Sequence, residues 1–217
     1  NFRMIIFLYG PDTFRSRQKL KELRDKFIKD VDASGINMQA LDGNTASPEA
    51  FENALMTIPF LAKKRMVIIE NILASKRGEK SLETIASLIE KKSSENTIMV
   101  FWEEALDAKK LKNPFTKKLL KEKYVYSFGL LNPKDFLIWV QNTVKNMGSA
   151  ISLEAAQFLC DAIGNNLWEM QTELEKLASY KRKKEIVLAD IRNLSGAEID
   201  ENIFALTDAI GNKNKKP

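Results

Sequence analysis

The chain has 217 residues, of which 44% are apolar and 29% charged, a balance that suits a globular protein of one large or two small domains. Cys160 is its only cysteine and it has no histidine, which excludes structural disulfides, Cys/His zinc sites, Ser-His-Asp triads and Cys-His dyads. No apolar run reaches the roughly 18–20 residues of a membrane helix, and residues 1–9 do not form a signal peptide. We therefore expect a cytoplasmic protein without a membrane partner.

The first half of the chain alternates between apolar strands and helices. Met4–Tyr9 is an unbroken apolar run that predicts a buried strand, and Gly10 and Pro11 end it. The further strands are predicted at 37–41, 65–70, 97–102 and 124–128. Helices are predicted at 13–31, from Pro48 with Ser47 as the cap, at 82–91, and in a short basic segment after the fourth strand. This alternation indicates a parallel five-stranded sheet covered on both faces.

The alternation stops at Gly129, and Asn132-Pro133 begins a section that we predict to be all-helical. Apolar residues at helical spacing place its helices at 136–145, 153–163, 166–180 and 188–194, with another beginning at 201–210. The predicted organisation is an α/β domain over residues 1–131, a small all-helical domain over 132–200, and a further segment at 201–217.

The turn after the first strand has the position of a phosphate loop but lacks its residues. A loop of the form G-x-x-x-x-G-K-[ST] needs Gly, Lys and a hydroxyl residue where this chain has Arg15, Ser16 and Arg17. Pro11 also removes a backbone N–H that would wrap phosphate. We predict no nucleotide site, no metal site and no catalytic residue here.

Acidic residues at the ends of the strands do not change this interpretation. The third strand ends with a single acid, Glu70, where Mg²⁺-dependent hydrolysis usually uses an Asp-Glu pair. Glu103 and Glu104 follow the fourth strand, and we interpret them as solvated groups.

An apolar segment, MTIPFLAKKRMV at residues 56–67, follows the second helix. Ile58, Phe60 and Leu61 cannot all face inward from a short turn that a proline breaks. One interpretation is a helix end tucked onto the sheet. The other is an exposed apolar anchor for a partner's pocket, with residues 63–65 as its charged rim. The residues alone leave both open.

Basic residues form clusters at 109–123, 181–184 and 213–216, although the formal net charge is only +5. Such clusters can meet nucleic acid, but they are more often solvated faces or turns. We favour a solvated surface and keep contact with DNA open.

Four segments in order resemble the delta subunit family of the bacterial DNA polymerase III clamp loader, and the resemblance covers essentially the whole chain. They are Gly10-Pro11-Asp12 after the first strand, Ile58-Pro59-Phe60-Leu61 with the strand MVIIEN, Gly164-Asn165-Asn166-Leu167 with the stretch ELEKL, and ENIFALTDAI at 201–210. The departures are small: Asn166 replaces an acid, and Thr172 replaces an amide.

The resemblance implies an AAA+-like fold that neither binds nor hydrolyses ATP and needs no cofactor, in a subunit of a nucleotidyltransferase, the DNA polymerase holoenzyme. It implies that the first domain grips the sliding clamp (the beta subunit) and helps to open the ring for loading onto primed DNA. Phe60 and Leu61 would enter a clamp pocket, with Met56, Ile58 and Pro59 beside them.

The other partners that the resemblance implies are the ATPase subunits and delta prime. These would meet the protein through a collar domain that starts at 201–217 and is cut short in this chain. Two other classes of function stay open. One is an active P-loop ATPase or kinase, which the loop argues against, and the other is a stand-alone AAA+-like protein that binds nucleic acid through the basic clusters.

Overall fold

The computed structural model describes residues 4–75, 79–92 and 94–194. The chain divides into two compact units, 1–129 and 130–217. The strands of the first unit are β1 (Met4–Tyr9), β2 (Met38–Asp42), β3 (Arg65–Glu70), β4 (Thr97–Glu103) and β5 (Tyr124–Ser127). Its helices are α1 (Thr13–Asp30), α2 (Pro48–Met56), α3 (Glu79–Lys92), α4 (Ala108–Lys112) and α5 (Pro114–Leu119).

The five strands form one parallel sheet in the order β2-β3-β4-β1-β5. The predicted five-stranded parallel sheet is therefore confirmed. In such a sheet the amino ends of all strands share one edge and the carboxyl ends share the other. Loops that precede strands and loops that follow strands are thus kept apart by the length of the sheet.

Alternate side chains of the strands enter two apolar layers, one on each face of the sheet, as the two-residue period of a strand requires. One layer packs against α2, α3 and α5, and its buried strand residues are Ile5, Phe7, Leu41, Val67, Ile69, Met99 and Phe101. The other packs against Leu20 and Phe27 of α1, and its strand residues are Ile6, Leu8, Met66, Ile68, Val100 and Trp102. Burial on both faces explains why these strands are continuously apolar in sequence.

α3 and α6 (Pro133–Asn146) each begin three residues before the predicted start, α6 at Pro133 rather than at residue 136, and the start of β2 differs by one residue. α3 begins at Glu79 rather than at residue 82, so its first turn is polar and carried no apolar signal. β2 begins at Met38 rather than at residue 37. The reason is that the N–H of Asn37 donates to the carboxylate of Asp32, 2.7 Å away, instead of to a neighbouring strand.

The second unit contains α6 (Pro133–Asn146), α7 (Leu153–Ile163), α8 (Leu167–Lys181) and α9 (Leu188–Leu194). It is helical, as predicted, but it is not all-helical. Ala150–Ile151 (β6) and Glu185–Ile186 (β7) pair in parallel as a small two-stranded sheet. Strands of two residues have no periodicity, so the sequence pattern could not reveal them.

The predicted segment at 201–217 lies outside the described residues. Within the ranges that the structure does describe, no helix combines the length and the apolar character that crossing a bilayer requires.

Candidate docking site at the amino edge of the sheet

In the turn after β1, the side chains of Asp12 and Arg15 bond to one another at the N-terminus of α1. Asp12 is buried, and its carboxylate accepts a hydrogen bond from the N–H of Arg15, 2.9 Å away, and an ion pair from the Arg15 guanidinium. A helix N-terminus attracts anions, and here the anion belongs to the chain itself. A Cβ on Gly10 would lie 2.3 Å from the main-chain oxygen of Phe128, so close packing by itself requires this glycine.

The next two positions of the phosphate-loop pattern are Ser16 and Arg17, and their side chains contact the ends of β3 and β4. Ser16, at the position of the missing lysine, is fully buried and accepts a hydrogen bond from the indole N–H of Trp102, 3.0 Å away. Arg17, at the position of the missing hydroxyl, lies 3.6 Å from the centre of the Trp102 ring and 2.7 Å from the carboxylate of Glu70. Serine and arginine therefore tie α1 to β3 and β4 where an ATPase would hold phosphate and metal.

Glu103 is not a solvated group, so that prediction was wrong. Its side chain is completely buried at the end of β4, and its carboxylate accepts the N–H groups of Leu73 and Ala74, 2.8 and 3.0 Å away. Burial raises the pKa of Glu103 to about 7, against the opposing effects of these main-chain donors and of the positive charge on Lys110. The residue fastens the segment that follows β3. Among the described residues, no cluster of three or more His, Cys, Asp or Glu side chains is placed to hold a metal ion.

The apolar segment after α2 lies at the opposite, amino edge of the sheet. α2 begins with Ser47 accepting the N–H of Ala50 and ends at Met56, where the N–H of Thr57 still reaches the oxygen of Asn53. The side chains beyond this point do not tuck onto the sheet. Their exposed fractions are 54% for Met56, 82% for Ile58, 63% for Phe60 and 92% for Leu61, with Pro59 half-buried.

The main chain beneath these exposed side chains is held firmly by Asn37. The side-chain oxygen of Asn37 accepts the N–H of Phe60 at 2.6 Å, and its amide nitrogen donates to the oxygen of Phe60 at 2.8 Å. Asn37 is itself buried, and its amide also donates to Asp32. Hydrogen bonds, first from the Ser34 side chain and then from Asn37, hold the pKa of Asp32 below its ordinary value.

A second support comes from Arg65, the first residue of β3. Its guanidinium donates to the main-chain oxygen of Thr57 at 3.0 Å and to the side-chain oxygen of Gln39 at 2.9 Å. Arg65 is buried, so its assignment to a charged rim was wrong, whereas Lys63 is exposed and Lys64 half-buried. Burial lowers the pKa of Arg65.

Leu61 adopts a left-handed backbone conformation, with φ at 54°. This conformation is unfavourable for any residue with a Cβ, by about 1–2 kcal/mol, and glycine is its usual occupant. Leucine stands here although its side chain is almost completely exposed and contributes little to folding.

Exposure of these side chains was one of the two interpretations that the residues left open, and the residues that position them were not predicted. Asp32 and Asn37 belong to the turn DASGIN, whose Asp, Ser, Gly and Asn residues are typical of a turn built on side-chain hydrogen bonds. The sequence therefore carried a local signal for this turn. The contact of Asn37 with Phe60 joins residues 23 positions apart, so only the fold brings them together.

The basic cluster at 109–123 lies mostly on the surface, but several of its lysines have partners within the chain. Lys110 donates to the main-chain oxygen of Ala74, and Lys118 pairs with Glu90. Of the other two clusters, 181–184 lies at the end of α8, where Lys181 pairs with Asp190, and 213–216 lies outside the described residues.

Residues 7–128 match the family described as "DNA polymerase III, delta subunit", a match that spans more than half of the chain. The chain is 27% identical to DNA polymerase III subunit delta of Bacillus subtilis (strain 168), over 96% of this chain and 61% of that protein. It is 26% identical to the probable DNA polymerase III subunit delta of Aquifex aeolicus (strain VF5), over 92% of this chain and 56% of that protein. It thus spans about six-tenths of the length of these relatives.

Solved structures support the fold. The B. subtilis DNA clamp loader delta protein superposes with a TM-score of 0.64 at 24% identity, over 97% of this chain and 63% of that one. The Thermotoga maritima RuvB branch migration motor gives a TM-score of 0.55 at 11% identity, over 91% of this chain and 64% of that one. These likenesses confirm the AAA+-like fold predicted for the first domain. Together with the match over residues 7–128, the sequence places this chain in the family of DNA polymerase III delta subunits.

Proposed function

We propose that this chain binds the replicative sliding clamp through the exposed segment at 56–61 and helps to open the ring for loading onto primed DNA in the cytoplasm. Membership of the delta subunit family supports this function. The observation that carries it is the pair Phe60 and Leu61, which are large, apolar and exposed at the amino edge of the sheet. Contiguous apolar groups of this kind mark a surface for a protein partner.

The main chain of this loop is also already fixed before a partner binds. Asn37 and Arg65 hold its main chain from below, while the side chains above remain in water. Association is weakened by the entropy of ordering a flexible loop, and a loop that is already fixed avoids much of this loss. Burying each large apolar side chain in a pocket stabilises a complex by about 1.5–3 kcal/mol.

We further propose that the chain performs this role without binding ATP. Asp12 occupies the helix N-terminus, and Arg17 pairs with the acid at the end of β3. Companion ATPase subunits would then supply hydrolysis, and these subunits and delta prime are the proposed further partners of the whole protein.

The test is clamp affinity by surface plasmon resonance, with the melting temperature measured on the same proteins. Replacing Phe60 and Leu61 by Ala should weaken binding by roughly two to four powers of ten, because about 1.4 kcal/mol corresponds to tenfold. The melting temperature should change little, since exposed side chains contribute little packing.

The matched control is the double variant Leu130→Ala, Leu153→Ala. These leucines are 61% and 63% exposed, as Phe60 is, but belong to the second unit. The control should keep full affinity. Unchanged affinity of the Phe60/Leu61 variant with an intact fold would reject the proposed anchor, and a collapsed melting temperature would assign the pair to the core.

A further inference from the structure

Ile36 is a second exposed apolar group at the amino edge of the sheet. Its exposed fraction is 69%, and it follows Gly35, whose φ of 70° turns the chain sharply before β2. Single exposed apolar residues are common on protein surfaces and need no explanation. The position of Ile36 next to Asn37 is what distinguishes it.

The loop at 32–37 and the loop at 57–64 form one hydrogen-bonded unit. Asn37 bonds both main-chain groups of Phe60, while Asp32 accepts the N–H and the side-chain amide of Asn37. Asp32 also accepts the N–H and the hydroxyl of Ser34. Ile36 is therefore bonded directly to the residue that holds the main chain of Phe60, and its own N–H donates to the Ser34 hydroxyl, 3.3 Å away.

We infer that Ile36 is part of the same docking surface as Phe60 and Leu61 and contacts apolar surface of the sliding clamp beside the pocket that receives them. This inference rests on the proposed function and extends it to a loop that lies more than 20 residues earlier in the chain. It commits to the clamp as the occupant because Ile36 directly precedes Asn37, the buried amide that holds the main chain of the proposed anchor at Phe60, and lies like the anchor before a strand at the amino edge of the sheet.

The test compares the graded variants Ile36→Val and Ile36→Ala with the unmodified protein by surface plasmon resonance against the clamp. A contact by the apolar side chain predicts a loss that grows with the apolar area removed. The loss should be small for Val and roughly tenfold for Ala. Leu153→Ala, at a similarly exposed site in the second unit, is the control and should bind normally.

A second measurement separates direct contact from loosening of the loop. The N–H of Phe60 is bonded to Asn37, so its hydrogen exchange rate reports whether the anchor is still held. Weakened binding with unchanged exchange at Phe60 supports the inference. Weakened binding with faster exchange overturns it, because Ile36 would then act only through the loop.

The results also separate this inference from the function on which it rests. Normal affinity of Ile36→Ala together with a large loss for the Phe60/Leu61 double variant overturns the role of Ile36 and leaves the proposed function standing. Normal affinity of both variants overturns the proposed function and the inference with it.

Discussion

The guanidinium of Arg17 lies 2.7 Å from the carboxylate of Glu70 and joins the first helix to the end of the third strand. In a nucleotide-hydrolysing relative of this fold, a hydroxyl and an acid at these two positions would share a magnesium ion. Here the guanidinium of Arg17, a fixed positive charge, stands at the position of the hydroxyl and pairs with the acid. The start of α1 is thus a structural joint to the sheet, and Trp102 stacks on the same guanidinium.

We predict that Mg-ATP does not bind. Asp12 repels phosphate at the start of α1, and Arg17 pairs with Glu70, the acid that would otherwise contact the metal. Isothermal titration calorimetry should give no heat of binding, with an ATP-hydrolysing clamp loader subunit as the positive control. A dissociation constant in the micromolar range would contradict this prediction.

Leu61→Gly should separate stability from binding. Glycine adopts the left-handed conformation of this position without strain, so the free energy of unfolding should stay the same or rise by up to about 1 kcal/mol. Clamp affinity should fall by roughly tenfold or more, because the exposed side chain is lost. Thermal melting and surface plasmon resonance on one preparation check both halves. A stabilised variant with full affinity would remove Leu61 from the proposed anchor.

Asn37→Ala should weaken clamp binding although Asn37 is buried and cannot itself contact a partner. The main-chain groups of Phe60 lose their partners, so the loop must be ordered on binding. Loss of these hydrogen bonds should also lower stability by about 1–3 kcal/mol. The hydrogen exchange rate of the Phe60 amide should rise. Asn142→Ala, at an exposed position on α6, is the control. Normal affinity with fast exchange at Phe60 would show that a fixed loop is unnecessary.

Glu103 should make stability depend on pH. Its pKa of about 7 lies above the ordinary value of 4.5, so the folded protein holds this proton more tightly than the unfolded chain does. The resulting stabilisation is complete below pH 4.5 and is lost as the pH rises to about 7, by roughly 3 kcal/mol. Denaturant unfolding of the wild type and of Glu103→Gln between pH 4.5 and 8 checks this. The difference between the two proteins should change in this window, and a constant difference would contradict the assignment.

Limited proteolysis should cut first near residues 129–133. The alternation of strands and helices stops there in sequence, and the chain divides into its two units between Gly129 and Leu130, both of which are exposed. Mass spectrometry of the early fragments identifies the site. First cleavage within β3 or β4 would count against two separate domains.

The sequence predicted the sheet and its helices because apolar periodicity is a local property. The sequence also indicated that the three large apolar side chains in the segment after α2 could not all be buried in one turn. It did not predict that Arg65 points inward or that Glu103 is buried, because the partners of both residues are supplied by other strands and loops. Charged residues at strand ends look solvated unless their distant donors and acceptors are known.

The proposed anchor and the turn after β1 lie at opposite edges of one parallel sheet, so they share strands but no loops. The contacts of Arg17 at the carboxyl edge, with Glu70 and Trp102, involve no residue of the loops at the amino edge. On the proposed function, recognition of the partner at one edge is therefore independent of whether the opposite edge binds nucleotide. The same independence lets an engineer graft a different recognition loop before β3 while the opposite edge stays as it is.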